Sequence, residues 1–191
     1  MSSLANQVAV VTGAGRGIGR AIALRFAAEG ADVVCVSRTA QNSEKVAGEV
    51  KALGRKAWAF ALDVADSAAV GAASERILAE AGRVDLLVNN AGIARDGLLM
   101  RMSDADWDAV LNTNLKGAFA FTRAFTRSFL KQRSGRIINI SSIIGLIGNA
   151  GQANYAASKA ALIGFTKPAP ANWAPGASPS TPSLRASSTP T

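Results

Sequence analysis

The chain has no histidine, one cysteine, one tyrosine, and no proline before residue 168. Each scarcity excludes something. Without histidine, imidazole-based catalytic triads are out. With Cys35 as the lone thiol, so are zinc sites built on Cys/His clusters. A single cysteine cannot close an internal disulfide, so nothing points to an oxidising compartment. Inside Val33-Val34-Cys35-Val36 it reads as a buried small hydrophobe. No apolar run reaches the roughly 18 residues that span a bilayer, and Met1–Gln7 lacks the basic and apolar regions of a signal peptide. A cytoplasmic protein with no membrane association is the default expectation. Charge is sparse too, at 18%, beside 49% hydrophobic residues and 18 glycines. That composition is globular, and 191 residues is one-domain size. Net charge is +8, yet the basic residues are scattered, with only short groups such as Arg123, Arg127, Lys131, Arg133 and Arg136. No helix-turn-helix or aromatic-basic pattern accompanies them, so nucleic acid is not an expected partner.

What is present is an alternation. Apolar runs at Gln7–Val11, Asp32–Val36, Lys56–Leu62, Val84–Val88 and Ile137–Ile140 predict five strands. Between them, helical patterns cover Gly17–Glu29, Ser43–Leu53 and Ser67–Ala81, the last closed by Gly82. Ser103 followed by Asp104 and Asp106 reads as an N-cap with an acidic first turn, opening a helical region from Asp104 to Lys131 that could be one helix or two. A last helix runs from near Ala153 to about Phe165. Nearly all-apolar strands alternating with helices imply a parallel sheet covered on both faces. Right-handed crossovers make it a Rossmann-like, doubly wound α/β fold of three layers.

The segment Thr12-Gly13-Ala14-Gly15-Arg16-Gly17-Ile18-Gly19 joins the first strand to the first helix. Its spacing is G-x-x-x-G-x-G rather than G-x-G-x-x-G, but the physics is shared. Gly13 permits a tight turn, Gly17 lets backbone approach a pyrophosphate, and Gly19 allows close packing of the helix. Helix N-terminal N–H groups then face the phosphates. At the end of the second strand, an acidic residue would hold a ribose 2′-hydroxyl. Here Ser37-Arg38 stands instead. Arg38, with Arg16 as a second candidate, suits a 2′-phosphate, favouring NADP(H) over NAD.

Tyr155 and Lys159 stand at i and i+4, neighbours on a helix face. A phenol titrates near 10, a reluctant proton donor at neutral pH; a nearby lysine cation favours its anion. The chain's only tyrosine lies 13 residues after Ser142, at the mouth of the fifth strand. Carboxyl ends of strands are where doubly wound sheets bind ligands. Ser141 competes with Ser142, and the spacing favours Ser142.

Together, Thr12-Gly13-x-x-x-Gly17-x-Gly19, Asn89-Asn90-Ala91-Gly92, Ser142 and Tyr155-x-x-x-Lys159 resemble the short-chain dehydrogenases/reductases along residues 7 to about 166. Within that superfamily, Arg16–Ile22, Asn89–Ile93 and Gly135–Ser142 are most similar to the bacterial 3-oxoacyl-acyl-carrier-protein reductases. The resemblance implies an enzyme reducing a ketone to a secondary alcohol with NADPH. It makes Tyr155 the general acid, and Lys159 the group that lowers the phenol's pKa and holds the nicotinamide ribose. Ser142 would hold the substrate oxygen, and Asn114 would support a water path to Lys159. Asp63 and Val64 would flank the adenine, and Asn90, Ala91 and Gly92 the adenosine ribose side. Gly13, Arg16, Gly17, Ile18, Gly19, Ser37 and Arg38 complete the cofactor set, to which Tyr155 and Lys159 also belong. The implied partner is an acyl-carrier-protein or acyl-CoA thioester, with Lys131, Arg133 and Arg136 as docking candidates for an acidic carrier. The implied assembly is a homotetramer. Two other readings stay open: another reductase of the superfamily, or a non-catalytic NADP-binding protein.

All six prolines fall between Pro168 and Pro190, in a segment almost entirely of Ala, Pro, Ser and Thr with no strand or helix period. The family continues with two more strands and a Pro-Gly pair about 30 residues after the tyrosine. The expectation is therefore an incomplete reductase domain over 1–167, ending after the fifth strand and its helix, followed by an irregular tail over 168–191. A frameshift near Lys167 is one hypothesis for the tail. Those four residue types have codons centred on C, and a GC-rich gene read one base out of frame yields them. Shifted back, Ala177–Pro190 can encode Ile-Thr-Val-Asn-Ala-Val-Ala-Pro-Gly-Phe-Ile-Asp-Thr. The rival is a genuine Pro/Ser/Ala tail. Resequencing around the Lys167 codon decides, and an unbroken frame sinks the idea. On this reading the chain as it stands is expected to be unstable or inactive.

Overall fold

The structure, a computed structural model, describes residues 3–167 and the backbone of 185–186. Strand β1 (Val8–Thr12) leads through the glycine loop to helix α1 (Gly17–Ala28), then β2 (Asp32–Ser37), α2 (Ala40–Ala52), β3 (Ala57–Ala61), α3 (Ser67–Ala81) and β4 (Leu86–Asn89). After a 3₁₀ turn at Leu99–Arg101 come α4 (Asp104–Leu111), a π-helical turn (Asn112–Lys116), α5 (Gly117–Gln132), β5 (Arg136–Ser141), the short α6 (Ile144–Ile147) and α7 (Ala153–Thr166). The strands form one parallel sheet in the order β3-β2-β1-β4-β5-β6, where β6 is Arg185–Ala186.

The alternation of side chains along each strand explains why the strands read as continuous apolar runs. On one face Val8, Val10, Val34, Val36, Phe60 and Leu87 pack against α3 and α5. On the other, Ala9's neighbour Val11, with Val33, Cys35 and Val88, packs against α1 and α2. With both faces covered, no polar residue can alternate. Phe121, Phe125 and Phe129 recur every four residues along α5, with ring centroids 6.3 and 6.4 Å apart, and fill the first core. Cys35 is fully buried, and burial, aided by the charge of Glu49, pushes its thiol up to about 12, as suits an inert core residue.

Three differences from the sequence expectation have physical causes. Helix α2 begins at Ala40, not Ser43. Ser43 lies inside the helix, where its hydroxyl bonds back to the Ala40 carbonyl at 3.0 Å. The Asp104–Lys131 region is neither one regular helix nor two separate ones. Asn112 and Gly117 both hold helical dihedrals, so the backbone runs on through the π turn. The five long strands are those expected, but β5 does not end the sheet. Ile140 and Ser141 pair in parallel with Arg185 and Ala186, which satisfies part of an edge that would otherwise present open N–H and C=O groups. The rest of the expected tail, and the domain boundary at 167, lie outside the described residues.

Candidate active site

The glycine loop is shaped by its contacts. Gly13 sits at φ +66°, and a Cβ there would come within 2.9 Å of Ala91 Cα and Asn90 Nδ2. Gly17 sits at φ +53° with nothing within 4 Å of its Cβ position, so the space beyond it is open. A Cβ on Gly19 would overlap the Gly13 carbonyl oxygen, so this glycine lets the first turn of α1 close onto the loop itself. Arg16 at the N-cap offers no capping side chain, and the first turn holds no acidic residue. The orphan N–H groups there are left to an anion.

A staple joins this loop to the turn after β4. The Thr12 hydroxyl accepts from the N–H groups of Asn90 (3.0 Å) and Ala91 (3.1 Å) and donates to the Val88 carbonyl (3.2 Å). Asn90 Nδ2 returns to the Thr12 and Gly13 carbonyls at 3.0 and 3.3 Å. Asn89 points the other way, into the protein, where it bonds Thr122 and Asn139.

The result is an open cleft of about 450 Å³ at the carboxyl ends of the strands. It gathers twelve of the residues singled out from sequence. Gly13, Arg16, Gly17, Ile18 and Gly19 form its floor; Ser37 and Arg38 stand at the end of β2; Asp63 and Val64 follow β3; Asn90, Ala91 and Gly92 follow β4. Arg16 and Arg38 are exposed, and neither pairs with a carboxylate among the described residues. Ser37 is spent locally, donating to the Thr39 carbonyl at 2.6 Å, and Asp63 Oδ1 accepts from the Ala65 N–H. Six further lining residues escaped the sequence reading: Gly15, Thr39, Asn42, Leu62, Ile93 and Thr113. Gly15 alone carried a signal, as an extra glycine in the loop. A Cβ there would press within 2.7 Å of Asn42 and 3.1 Å of Ser37.

Tyr155, Lys159 and Ser142 stand beside this cleft rather than in its wall. Gly92 is the link: a Cβ on it would lie 3.2 Å from Asn114 Oδ1 and 3.7 Å from Lys159 Nζ. Lys159 is 4% exposed. Its Nζ donates to the Ile140 carbonyl at 2.8 Å and lies 5.7 Å from the Tyr155 ring centroid. Burial lowers its pKa from 10.5 to about 8, so at neutral pH it is a desolvated cation. The structure separates the two serines. Ser141 spends its hydroxyl on the Lys159 carbonyl at 3.0 Å. Ser142 Oγ accepts from the Ile144 N–H at 3.2 Å, which leaves its own proton to donate. Asn114, in the π turn, holds Ile93 by both N–H (2.8 Å) and C=O (3.0 Å) and donates to Ser158 Oγ (3.0 Å).

Comparison with known proteins agrees with this geometry. The family model for short chain dehydrogenase matches residues 7–176. Among curated proteins, the chain is 51% identical over 162 residues to the 3-oxoacyl-[acyl-carrier-protein] reductase FabG of Staphylococcus aureus strain Mu50, covering 84% of this chain and 66% of that protein. It is 48% identical over 161 residues to the FabG of Escherichia coli K12, covering 84% and 65%. The chain thus spans about 66% of the length of the curated relatives it matches. Among solved structures, a putative short-chain alcohol dehydrogenase from Sinorhizobium meliloti superposes with a TM-score of 0.86 at 35% identity, covering 89% of this chain and 68% of that one. NAD+-bound xylitol dehydrogenase gives 0.87 at 32% identity, covering 90% and 66%. Among the described residues, no helix is long and apolar enough to cross a membrane.

Proposed function

The chain belongs to the short-chain dehydrogenase family, and from that premise we propose that it descends from, and carries the site of, an NADPH-dependent reductase of 3-oxoacyl thioesters. One observation carries the reading. The residues suited to a dinucleotide converge on a single cleft, and Gly92 connects that cleft to Lys159 and Asn114.

The cleft fits the cofactor. The open space beyond Gly17, under the uncapped start of α1, is a cradle for a pyrophosphate that any Cβ would begin to fill. Arg38, supported by Arg16, would hold the 2′-phosphate by charge-assisted hydrogen bonds. A nicotinamide cofactor bound in this cleft would supply the hydride for the substrate carbonyl carbon. The protein's own residues do the rest. Ser142 Oγ–H donates to the carbonyl oxygen and fixes its position. Tyr155 gives its proton to that oxygen as negative charge develops there. The Lys159 ammonium, held in a low-dielectric pocket by the Ile140 carbonyl, stabilises the phenolate left behind. Asn114 has both amide hydrogens engaged inside the protein, so any support it gives to a water path to Lys159 would come from an acceptor oxygen.

An acyl carrier protein is acidic, and the exposed Lys131, Arg133 and Arg136, where α5 gives way to β5, offer it one basic patch. A homotetramer would use an apolar groove formed by Leu111, Leu115, Phe119 and Phe165. The cytoplasm is the matching compartment, and 1–167 the unit that carries the site. The deciding experiment follows NADPH oxidation at 340 nm with acetoacetyl thioesters of carrier protein and of coenzyme A, with xylitol oxidation as the contrasting arm. Thioester-dependent oxidation supports the reading. Nucleotide binding without turnover on any ketone, in this chain and in a frame-restored version, overturns it in favour of a binding protein.

A further inference from the structure

We propose that Asn154 and Ser158 are positioning residues that hold the peptide groups of Tyr155 and tie them to the loop leaving the cleft, residues 93–95. The inference rests on the reading of Tyr155 as the proton donor. Both side chains are fully buried, at 0% exposure. Asn154 lies in the first turn of α7, where N–H groups have no partner within the helix. Its Oδ1 accepts from the Tyr155 N–H at 2.7 Å, and its Nδ2 donates to the Arg95 carbonyl at 2.9 Å. Ser158 Oγ donates to the Tyr155 carbonyl at 2.8 Å and accepts from Asn114 Nδ2 at 3.0 Å. Asn114 in turn grips Ile93 by both backbone groups.

The tyrosine is therefore bracketed at both ends of its own residue, and both brackets lead to the same short loop. Ile93 itself lines the cleft. Gln152 adds an outer tie, donating to both carboxylate oxygens of Asp96 at 3.1 Å. A buried amide could cap a helix start without reaching across to a loop, and a helical serine could bond back without a second partner. Asn154 spends its remaining group on Arg95 directly, and Ser158 reaches Ile93 through Asn114, which is what a device for fixing the tyrosine against the cleft wall requires. Among the described residues the phenol oxygen makes no hydrogen bond of its own, and its ring has the Lys159 ammonium 5.7 Å from its centroid. Its placement comes from its backbone, and misplacement by about 1 Å can cost a reaction on the order of 100-fold.

Because Tyr155 is the only tyrosine, fluorotyrosine labelling of the full chain puts a single ¹⁹F resonance on this residue. One narrow line is expected for the unaltered chain. Asn154→Ala and Ser158→Ala should each broaden or split it, and lower kcat by about 10- to 100-fold with KM for NADPH held within about 2-fold. Asn154→Asp keeps an acceptor for the Tyr155 N–H but faces the Arg95 carbonyl with a lone pair; it should behave like alanine. Ser158→Thr keeps the hydroxyl and should restore the wild-type line. Asn154→Asp and Ser158→Thr carry the test if the alanine variants do not fold. A wild-type line in Asn154→Asp, or in either folded alanine variant, overturns the proposal, as does a broadened line in Ser158→Thr. Absence of ketone reduction in both this chain and the frame-restored version defeats the functional reading alone, because the fluorine line judges the bracket without turnover.

Discussion

Lys159 makes a quantitative prediction about stability. It is buried, and burial brings its pKa from 10.5 to about 8. In the unfolded chain it titrates at the ordinary lysine value of about 10.4. Below pH 8 both states carry the proton, and the folded state bears the full cost of a desolvated ammonium. Between 8 and 10.4 the unfolded chain binds more protons than the folded one, so stability rises with pH. Above that window both are neutral and the cost is gone. At about 1.36 kcal/mol per unit, the whole rise is about 3 kcal/mol. The comparison that isolates it is Tyr155→Phe against Tyr155→Phe/Lys159→Met. The phenylalanine background removes the phenol beside Lys159, and methionine keeps the apolar stem. Urea unfolding at intervals from pH 7 to 10.5 gives two curves whose difference cancels every shared group. The lysine chain should gain about 3 kcal/mol on the methionine chain across the window. The hydrogen bond to the Ile140 carbonyl persists across the window, since a neutral amine also donates, more weakly than an ammonium. A difference that stays flat, or falls with pH, would refute the claim that Lys159 is held desolvated.

Three further outcomes are expected. Arg38→Asp should lower kcat/KM for NADPH by roughly 10- to 100-fold, the worth of a charge-assisted hydrogen bond, and raise it for NADH; steady-state kinetics with both nucleotides decides. Gly19→Ala should cost at least about 2 kcal/mol in thermal unfolding, because its Cβ meets the Gly13 carbonyl, and Gly17→Ala only about 1 kcal/mol, the cost of a positive φ in open space, with nucleotide affinity lost instead. Ser141→Ala should cost about 0.5–1.5 kcal/mol of stability by removing a buried hydrogen bond to the Lys159 carbonyl, whereas Ser142→Ala should melt like the parent and lose ketone reduction; melting curves beside NADPH oxidation rates separate the two.

Much of the fold was legible because its signals are local. Ser67–Ala81 was bounded correctly by Asp66, whose carboxylate caps Ala68 and Ala69, and by Gly82 at φ +77°. Continuous apolar strands announced a sheet covered on both faces. The errors came where a local signal had two meanings. The helical pattern read from Ser43 begins at Ala40 in the structure, and Ser43 is a back-bonded residue inside the helix. Asn112–Lys116 keeps a helical composition while changing its hydrogen-bond ladder, and composition does not report the ladder. A two-residue β6 is too short to show any period.

In the site, the same division separates residues that meet a ligand from residues that meet the backbone. Glycines at 13, 17 and 19, Arg38, and Tyr155 with Lys159 could be read because their chemistry is tied to residue type and to spacing within one element. Asn114, Asn154 and Ser158 could not be placed that way. Besides Tyr155, Asn154 bonds Arg95, while Asn114 bonds Ile93 and Ser158, and the loop carbonyls lie 21 and 59 residues away in the chain. A helical period says which side chains share a face; it does not say which carbonyl of a distant loop will stand opposite them. The choice between Ser141 and Ser142 shows what that costs. Thirteen residues of spacing favour Ser142, and the structure adds a contact to that argument: Ser141 is occupied by the backbone of Lys159, on the very helix that carries the tyrosine. One serine therefore builds the site's frame and its neighbour is left free to donate, a division of labour between adjacent identical residues that only the packing of β5 on α7 can assign.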